Sequence, residues 1–527
     1  MQKPILDLQN LTLTIAGKTI VNDVSFSIAQ GKTLALLGES GSGKTLTALS
    51  IIRLLPPQVQ FALSSSIKLR GKDLLKLPEV SMQKVRGNKI GLVFQEPATA
   101  LNPVLTIGEQ ISEAIKQHLQ LSKHAVHIRI LELLSEVGFS KPQRIFSAYP
   151  HQLSGGMRQR VVIAIAIAAH PQLLIADEPT SALDVTTQAQ ILALLQKLQE
   201  KLKITTLLIT HDVNVAKKIA DKVVVLHHGH VVEQTSVAEF FAHPQHPYSQ
   251  QLLQASTFAP KLASKPVVEK PILQVEDLCV YFPVQKGIFK RTVDWVKAVD
   301  NVSFQIKKGQ TLALVGESGS GKSTLARAVL RLIEPTSGNI QFDNKNLITL
   351  PQKLLRPLRK DLQMIFQDPF SSLDPRMLVE EILAEGLSAL GLEQKKSAQS
   401  YIDSLLEKVA LPLTSKDRYP HEFSGGQRQR IVIARALAVS PQLVVCDEPT
   451  SALDVSSQKQ VLELLKSLQQ EYKLSYLFIT HNIPLAAAIA DEIAVMYEGK
   501  IVEYGAATSI LLQPQHAYTK KLLAAVL

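Results

Sequence analysis

Only two cysteines, Cys279 and Cys446, and a single tryptophan, Trp295, occur in 527 residues. So few thiols exclude a disulfide framework and any zinc or iron–sulfur site that needs four neighbouring thiolates, and they suit a reducing compartment. Long apolar runs are missing as well. No stretch approaches the ~18 residues of a membrane-spanning helix, and the opening MQKPILDLQNLTLTIAG has no basic segment followed by an apolar one. The expectation is a chain that neither crosses a membrane nor leaves by a signal peptide. Hydrophobic residues at 46% and charged residues at 20% exclude a mainly disordered, collagen-like or coiled-coil chain. Lys and Arg number 57 against 46 Asp and Glu, a net charge of +11. This suits an anionic partner such as a nucleotide, a nucleic acid or lipid headgroups, without choosing among them.

What the chain does have is an internal repeat. GESGSGKT at Gly38 to Thr45 returns as GESGSGKS at Gly316 to Ser323, 278 residues later. Gln95 of FQEP pairs with Gln367 of FQDP, Ser154 of LSGGMRQR with Ser424 of FSGGQRQR, Asp177 of LLIADEPTSALD with Asp447 of LVVCDEPTSALD, and His211 with His481. The last three offsets are all 270, so that stretch of the two halves runs without a gap. Residues 1–256 therefore read as a first domain, 257–270 as a linker and 271–527 as a second domain. The linker, TFAPKLASKPVVEK, mixes Pro, Ala and Lys and reaches at most ~45 Å when extended. Half two also carries a basic insert, residues 283–295, which contains Trp295 and reads as a longer surface hairpin or a contact with lipid headgroups or a membrane partner.

Within each half, short apolar strands such as TLALLG and TLALVG run into the glycine-rich loops. LLIAD, TTLLIT and VVVL read as further buried strands, as do LVVCD, SYLFIT and IAVM. Ile191, Leu194, Leu195 and Leu198 recur at helical spacing, as do Val461, Leu464, Leu465 and Leu468. Strands alternating with helices predict a mostly parallel α/β sheet.

A strand, a GxxxxGK[ST] loop and a helix make a phosphate cradle, because glycines let backbone N–H groups converge on phosphate oxygens at a positive helix end. The two cradles are Gly38, Glu39, Ser40, Gly41, Ser42, Gly43, Lys44 and Thr45, and Gly316, Glu317, Ser318, Gly319, Ser320, Gly321, Lys322 and Ser323. Lys44 and Lys322 would reach the β and γ phosphates, and the hydroxyls of Thr45 and Ser323 would bind Mg²⁺. Asp177 and Asp447 end apolar strands, where a carboxylate can hold hydrated Mg²⁺. Glu178 and Glu448 follow them and can accept a proton from attacking water. Gln95 and Gln367 can offer an amide to Mg²⁺ or water, and His211 and His481 can hold the γ phosphate or the water.

This set resembles the nucleotide-binding domain of ABC ATPases over nearly all of both halves. Its most diagnostic element is SGG followed by a Gln-Arg pair, with Ser154, Gly155 and Gly156 in half one and Ser424, Gly425 and Gly426 in half two. The resemblance implies a P-loop NTPase fold in tandem, each copy a RecA-like core with antiparallel β and helical subdomains. It also implies a head-to-tail pseudo-dimer with two ATP molecules at the joint. The Walker residues of half one would be completed by Ser424 and Gly426, and those of half two by Ser154 and Gly156. Asp184 and Asp454 match the family's D-loop. An early aromatic usually stacks on adenine in this family. Tyr281 and Phe282 can serve half two, whereas half one has Ile15 at the aligned place, which predicts weaker binding there.

FQEPATALNP, FQDPFSSLDP, YPHQLSGG and YPHEFSGG, with the tails HPQHPYSQQLL and QPQHAYTKKLL, resemble the peptide and nickel importer branch. A fused pair without a cysteine-rich tail is similar to the ATPases of microcin C-type peptide importers. That resemblance implies two integral permease subunits docked near residues 95–154 and 367–424, and an extracytoplasmic solute-binding protein. It also implies a peptide cargo that this chain does not itself bind, no nucleic acid, and a place at the cytoplasmic face of the bacterial inner membrane. The rival from another class is a soluble twin ABC ATPase acting on ribosomes, which usually has a long charged helical arm where this chain has about 14 linker residues. Fused importers of nickel or sugar are closer rivals.

Overall fold

Strand Thr33–Leu37 is buried at every position, as are Leu173–Asp177 and Thr205–Thr210. Burial on both faces is what a parallel strand flanked by layers on either side requires. The computed structural model describes residues 4–181, 183–256, 261, 270–286, 291–389, 395–451 and 453–525. It divides into two units, Met1–Thr257 and Phe258–Val526.

In unit one the central sheet has six strands in the order His230–Ser236, Lys222–His227, Thr33–Leu37, Thr205–Thr210, Leu173–Asp177 and Ile90–Val93. All neighbours are parallel except the first pair. Alternate side chains serve different cores, following the two-residue period of a strand. Leu34, Leu36, Ile175 and Ile209 face a β layer and the helix Lys44–Ile51, in one cluster with Leu6, Val24 and Ile51. Ala35, Leu37, Ala176 and Leu208 face the helical side, in one cluster with Ile111, Ile163 and Leu195. The β layer is an antiparallel sheet built on Pro4–Ile15, which pairs with Lys18–Ala29, Val59–Phe61 and Ser66–Leu69. Each fully buried Leu or Ile of these cores contributes ~1.5–3 kcal/mol.

Unit two repeats the plan. Its six-stranded sheet runs Leu362–Ile365, Leu443–Asp447, Ser475–Thr480, Thr311–Val315, Glu492–Tyr497 and Lys500–Ala506. Strands Pro271–Lys286 and Arg291–Lys307 pair from Pro271 opposite Lys307 out to Lys286 opposite Arg291, so the described part of the insert extends this hairpin. Trp295 sits opposite Pro283 and is half exposed. Both cysteines are buried: Cys446 lies in the core beside Phe478, and Cys279 Sγ accepts from the Asn301 N–H at 3.3 Å.

The helices follow the predicted apolar spacing with one departure. Ile191, Leu194, Leu195 and Leu198 are all buried in Val185–Leu202. In Val455–Tyr472 the buried set is Val461, Leu462, Leu465 and Leu468, and Leu464 is only partly covered. Of the expected linker, only Lys261 and Lys270 lie among the described residues. Lys261 Nζ lies 2.9 Å from Asp491 Oδ2, and its N–H donates to the Ala487 carbonyl at 2.8 Å. In unit one the matching Asp221 is bound instead by Lys32, at 2.8 Å, a position occupied by Gln310 in unit two. Among the described residues no helix is long and apolar enough to cross a membrane.

Candidate functional site

The predicted glycine-rich loops and the Asp, Glu, Gln and His residues gather beyond the carboxyl ends of the parallel strands, where open α/β sheets place their ligand sites. Thr33–Leu37 leads into the first glycine-rich loop and Thr311–Val315 into the second, and each loop opens a helix, Lys44–Ile51 or Lys322–Val329. Gly43 and Gly321 stand before these helices with φ of 101° and 104°. A Cβ on Gly321 would lie 2.0 Å from the Ala298 carbonyl oxygen, so only glycine fits. Lys44 Nζ donates to the Gly38 and Glu39 carbonyls at 2.8 and 2.7 Å, and Lys322 Nζ to Gly316 and Glu317 at 2.9 and 2.8 Å. The Ser42 hydroxyl is buried with no hydrogen-bond partner, an orphaned donor within a loop shaped for phosphate oxygens.

Asp177 and Asp447 end their strands, and each faces the first hydroxyl of its helix. Thr45 Oγ1 lies 3.4 Å from Asp177 Oδ1, and Ser323 Oγ lies 3.0 Å from Asp447 Oδ1. Burial pushes the Asp177 carboxyl up to about 6, opposed by the Thr45 hydrogen bond and reinforced by neighbouring Glu178. Asp447 is pushed up for the same reason. A buried carboxylate beside a hydroxyl is a hard oxygen set that a cation would neutralise, so these residues fit Mg²⁺.

Glu178 and Glu448 come next, with φ of 44° and 46°, a left-handed conformation rare for a non-glycine residue. Such strain costs ~1–3 kcal/mol and persists only where the surroundings hold it. Here the Glu178 N–H is tied to the Ile209 carbonyl at 2.9 Å and the Glu448 N–H to Ile479 at 3.0 Å. The bend turns each carboxylate toward its Gln and His. Gln95 Nε2 donates to Glu178 Oε2 at 2.9 Å, and His211 Nδ1 stands 3.1 Å from Oε1. In unit two the distances to Glu448 Oε2 are 3.1 Å from Gln367 Nε2 and 3.2 Å from His481 Nδ1. Because the Gln nitrogen faces the carboxylate, its carbonyl oxygen is the atom that can ligate a cation.

Burial alone would push Glu178 up, but the hydrogen bond and charge of His211, with Lys44 and Gln95, outweigh it and hold the carboxyl below its ordinary value. Glu448 is held low by His481, Lys322 and Gln367 in the same way. His211, which burial would push down, is instead raised by Glu178. Adjacent acids are thus driven apart, Asp177 up and Glu178 down, a separation typical of sites that assign different tasks to neighbouring carboxylates.

The SGG segments begin helices Gly155–Ala166 and Gly425–Leu437, capped by Ser154 and Ser424, whose hydroxyls accept from the Met157 and Gln427 N–H groups at 3.4 Å each. Gly156 has no room for a side chain, since its Cβ would meet Thr187 Cγ2 at 2.3 Å. Asp184 and Asp454 cap the helices Val185–Leu202 and Val455–Tyr472, accepting from Thr187 N–H and Ser457 N–H at 2.9 Å each. Of the two candidate adenine aromatics, Tyr281 places its hydroxyl 2.5 Å from Asp300 Oδ1, whereas Phe282 presents an exposed ring. Ile15 lies at the end of its strand, partly buried, opposite Lys18 and Val59.

Two residues at these loops escape a motif reading. Tyr248 and Tyr518 come from the C-terminal tails, and their hydroxyls meet Glu39 and Glu317. The signal in the sequence is the repeated His-x-Tyr of HPY and HAY, one at the end of each half.

Comparison with known proteins bears on the whole chain. The family described as ABC transporter matches residues 21–181 and 299–451. The family described as oligopeptide/dipeptide transporter, C-terminal region, matches residues 232–274 and 502–527. The peptidoglycan transport ATP-binding protein YejF of Agrobacterium fabrum is 47% identical over 533 residues, covering 99% of this chain and 96% of that protein. The glutathione import ATP-binding protein GsiA of Escherichia coli is 46% identical over 556 residues, covering 99% of this chain and 89% of that protein.

Proposed function

The chain belongs to the ABC transporter family of ATP-binding proteins, and from that premise we propose that it is the ATP-hydrolysing motor of an importer for peptides or peptide-like compounds. The observation that carries this reading is that both halves hold a complete set of groups, Gln95, Glu178 and His211 in one and Gln367, Glu448 and His481 in the other. The cargo class rests on the oligopeptide/dipeptide C-terminal region matched in each half and on relatives named for peptidoglycan transport and glutathione import.

In this reading each glycine-rich loop binds the ATP phosphates, with Lys44 or Lys322 turning from its loop carbonyls to the β and γ oxygens. Thr45, Asp177 and Gln95 would hold Mg²⁺ in the first site and Ser323, Asp447 and Gln367 in the second. Bound there, the ion would neutralise charge on the β and γ phosphate oxygens. Glu178 and Glu448 each take a proton from the attacking water, which Gln and His orient. Phe282 stacks on adenine in the second site. By the family resemblance, Ser424 and Gly426 would complete the first site, and Ser154 and Gly156 the second.

Closure on ATP and reopening after hydrolysis would be passed to two separate permease subunits, which supply the membrane path, with a solute-binding protein delivering cargo outside. The motor then sits peripherally at the cytoplasmic face of the inner membrane. The test is to tag the Glu178→Gln, Glu448→Gln double variant, extract cells in mild detergent with ATP, and identify what co-purifies. Stoichiometric recovery of two multi-spanning proteins supports the reading, and recovery of ribosomes without membrane proteins overturns it.

A further inference from the structure

A histidine stands just before each tail helix, and the tyrosine two residues later reaches a glycine-rich loop of its own unit. The Tyr248 hydroxyl accepts from the Glu39 N–H at 3.0 Å, and the Tyr518 hydroxyl accepts from the Glu317 N–H at 2.9 Å. The Glu39 N–H belongs to the same peptide group as the Gly38 carbonyl, which receives Lys44 Nζ at 2.8 Å. In unit two the Gly316 carbonyl receives Lys322 Nζ at 2.9 Å. One peptide plane thus bridges the tail tyrosine and the phosphate-binding lysine, in both units.

The tyrosines are held for this contact. Glu233 takes the Gln245 and His246 N–H groups, both at 3.1 Å, and fixes the turn before the helix Pro247–Ser256. His246 Nδ1 then accepts from the Tyr248 N–H at 3.2 Å, and Pro247 stands at the first helical position, where a missing N–H costs nothing. Unit two repeats this with Glu503, which takes the Gln515 and His516 N–H groups at 2.7 and 3.0 Å, and with His516 Nδ1 accepting from Tyr518 N–H at 3.2 Å. The Tyr248 ring stacks on His227 at 3.9 Å between centroids, and the Tyr518 ring packs on Tyr497 at 4.3 Å. His227 and Tyr497 end the strands beside the loops, and a Cβ on Gly38 would lie only 2.2 Å from the carbonyl of Leu226, the residue before His227. The ring, the helix start and the loop therefore form one packed unit.

We infer that Tyr248 and Tyr518 are positioning residues of the two ATP sites: each hydroxyl sets the plane of the peptide that the Walker lysine grips, so the C-terminal tail governs phosphate binding. This rests on the reading of the loops as ATP sites. Without the hydroxyl, the peptide loses a bond on the face opposite the lysine and is free to turn away from the phosphates.

The experiment is ATP titration by calorimetry on the full chain, with Mg²⁺ in excess. Tyr248→Phe is measured in a Lys322→Ala background, which reports the first site, and Tyr518→Phe in a Lys44→Ala background, which reports the second. The ring and its stacking are kept. The expected result is ATP affinity weakened about three- to tenfold, with the nucleotide-free protein still unfolding cooperatively and its unfolding temperature lowered only by the few degrees that one lost hydrogen bond costs. In the otherwise unaltered chain the paired Tyr→Phe variant should show a raised KM for ATP and an unchanged kcat. Affinity equal to that of the parent overturns the inference, as does weaker binding in a protein whose nucleotide-free unfolding temperature falls by much more than those few degrees, which marks a general loss of packing. A parent background that binds no ATP sinks the ATP-site reading itself, and this inference with it.

Discussion

Glu178 Oε1 lies 3.1 Å from His211 Nδ1, in a segment bent into a left-handed conformation at the glutamate. The pairing keeps a buried carboxylate charged, which a general base requires, and Glu448 with His481 repeats it at 3.2 Å. In the proposed reading both sites hydrolyse ATP. Glu178→Gln and Glu448→Gln should each lower steady-state phosphate release, and the double variant should lose ~10²–10⁴-fold. A Glu448→Gln protein turning over ATP at the full wild-type rate would show that the second site does not contribute.

The pH dependence follows from the same pair. Glu178 sits below its ordinary 4.5, so its stabilising contribution is present above that value and lost as pH falls through the depressed one. His211 sits above its ordinary 6.5, so its contribution is present below that value and lost as pH rises through the raised one. The ion pair is intact between the two. Replacing His211 by Ala leaves burial to dominate Glu178, whose pKa must then rise. In a Glu448→Gln background, the acid limb of the rate profile should therefore move to higher pH in His211→Ala. An unmoved acid limb would mean that Glu178 is not the base being titrated.

The two candidate adenine positions differ. Phe282 offers an exposed ring, while Ile15 stands in the aligned place of half one. Stacking of a base on an aromatic is worth ~1–3 kcal/mol. ATP should bind more weakly to a Lys322→Ala protein, which keeps the first site, than to a Lys44→Ala protein, and Phe282→Ala should remove the difference. Equal affinities in the two single-site proteins would contradict this.

Gly321 carries both a φ of 104° and a neighbour 2.0 Å from where a Cβ would be. Gly321→Ala should lose ATP binding at the second site and destabilise unit two by ~1–3 kcal/mol. Thermal unfolding should show the drop without added nucleotide. An alanine variant with wild-type melting and binding would mean that the loop can adopt another backbone path.

Much of this protein is legible in one dimension. Duplication, the phosphate loops, the Asp-Glu pairs and the parallel strands are carried by residues adjacent in the chain or repeated at a fixed offset. Their physics is local: a glycine's freedom at positive φ, a strand's two-residue period, a helix end's charge. The helices show the limit, since Leu464 satisfies the spacing but is only partly covered while Leu462 is buried. Helical phase is set by what packs against it. Contacts between distant segments lie beyond such patterns. Gln95 meets Glu178 across 83 residues, and Tyr248 meets Glu39 across 209. The sequence by itself determined which groups are available, because side-chain chemistry and short-range backbone preference reside in it. The folded sheet decided which of them touch, because only closure of strands from remote parts of the chain brings a tail tyrosine to the peptide that holds the lysine.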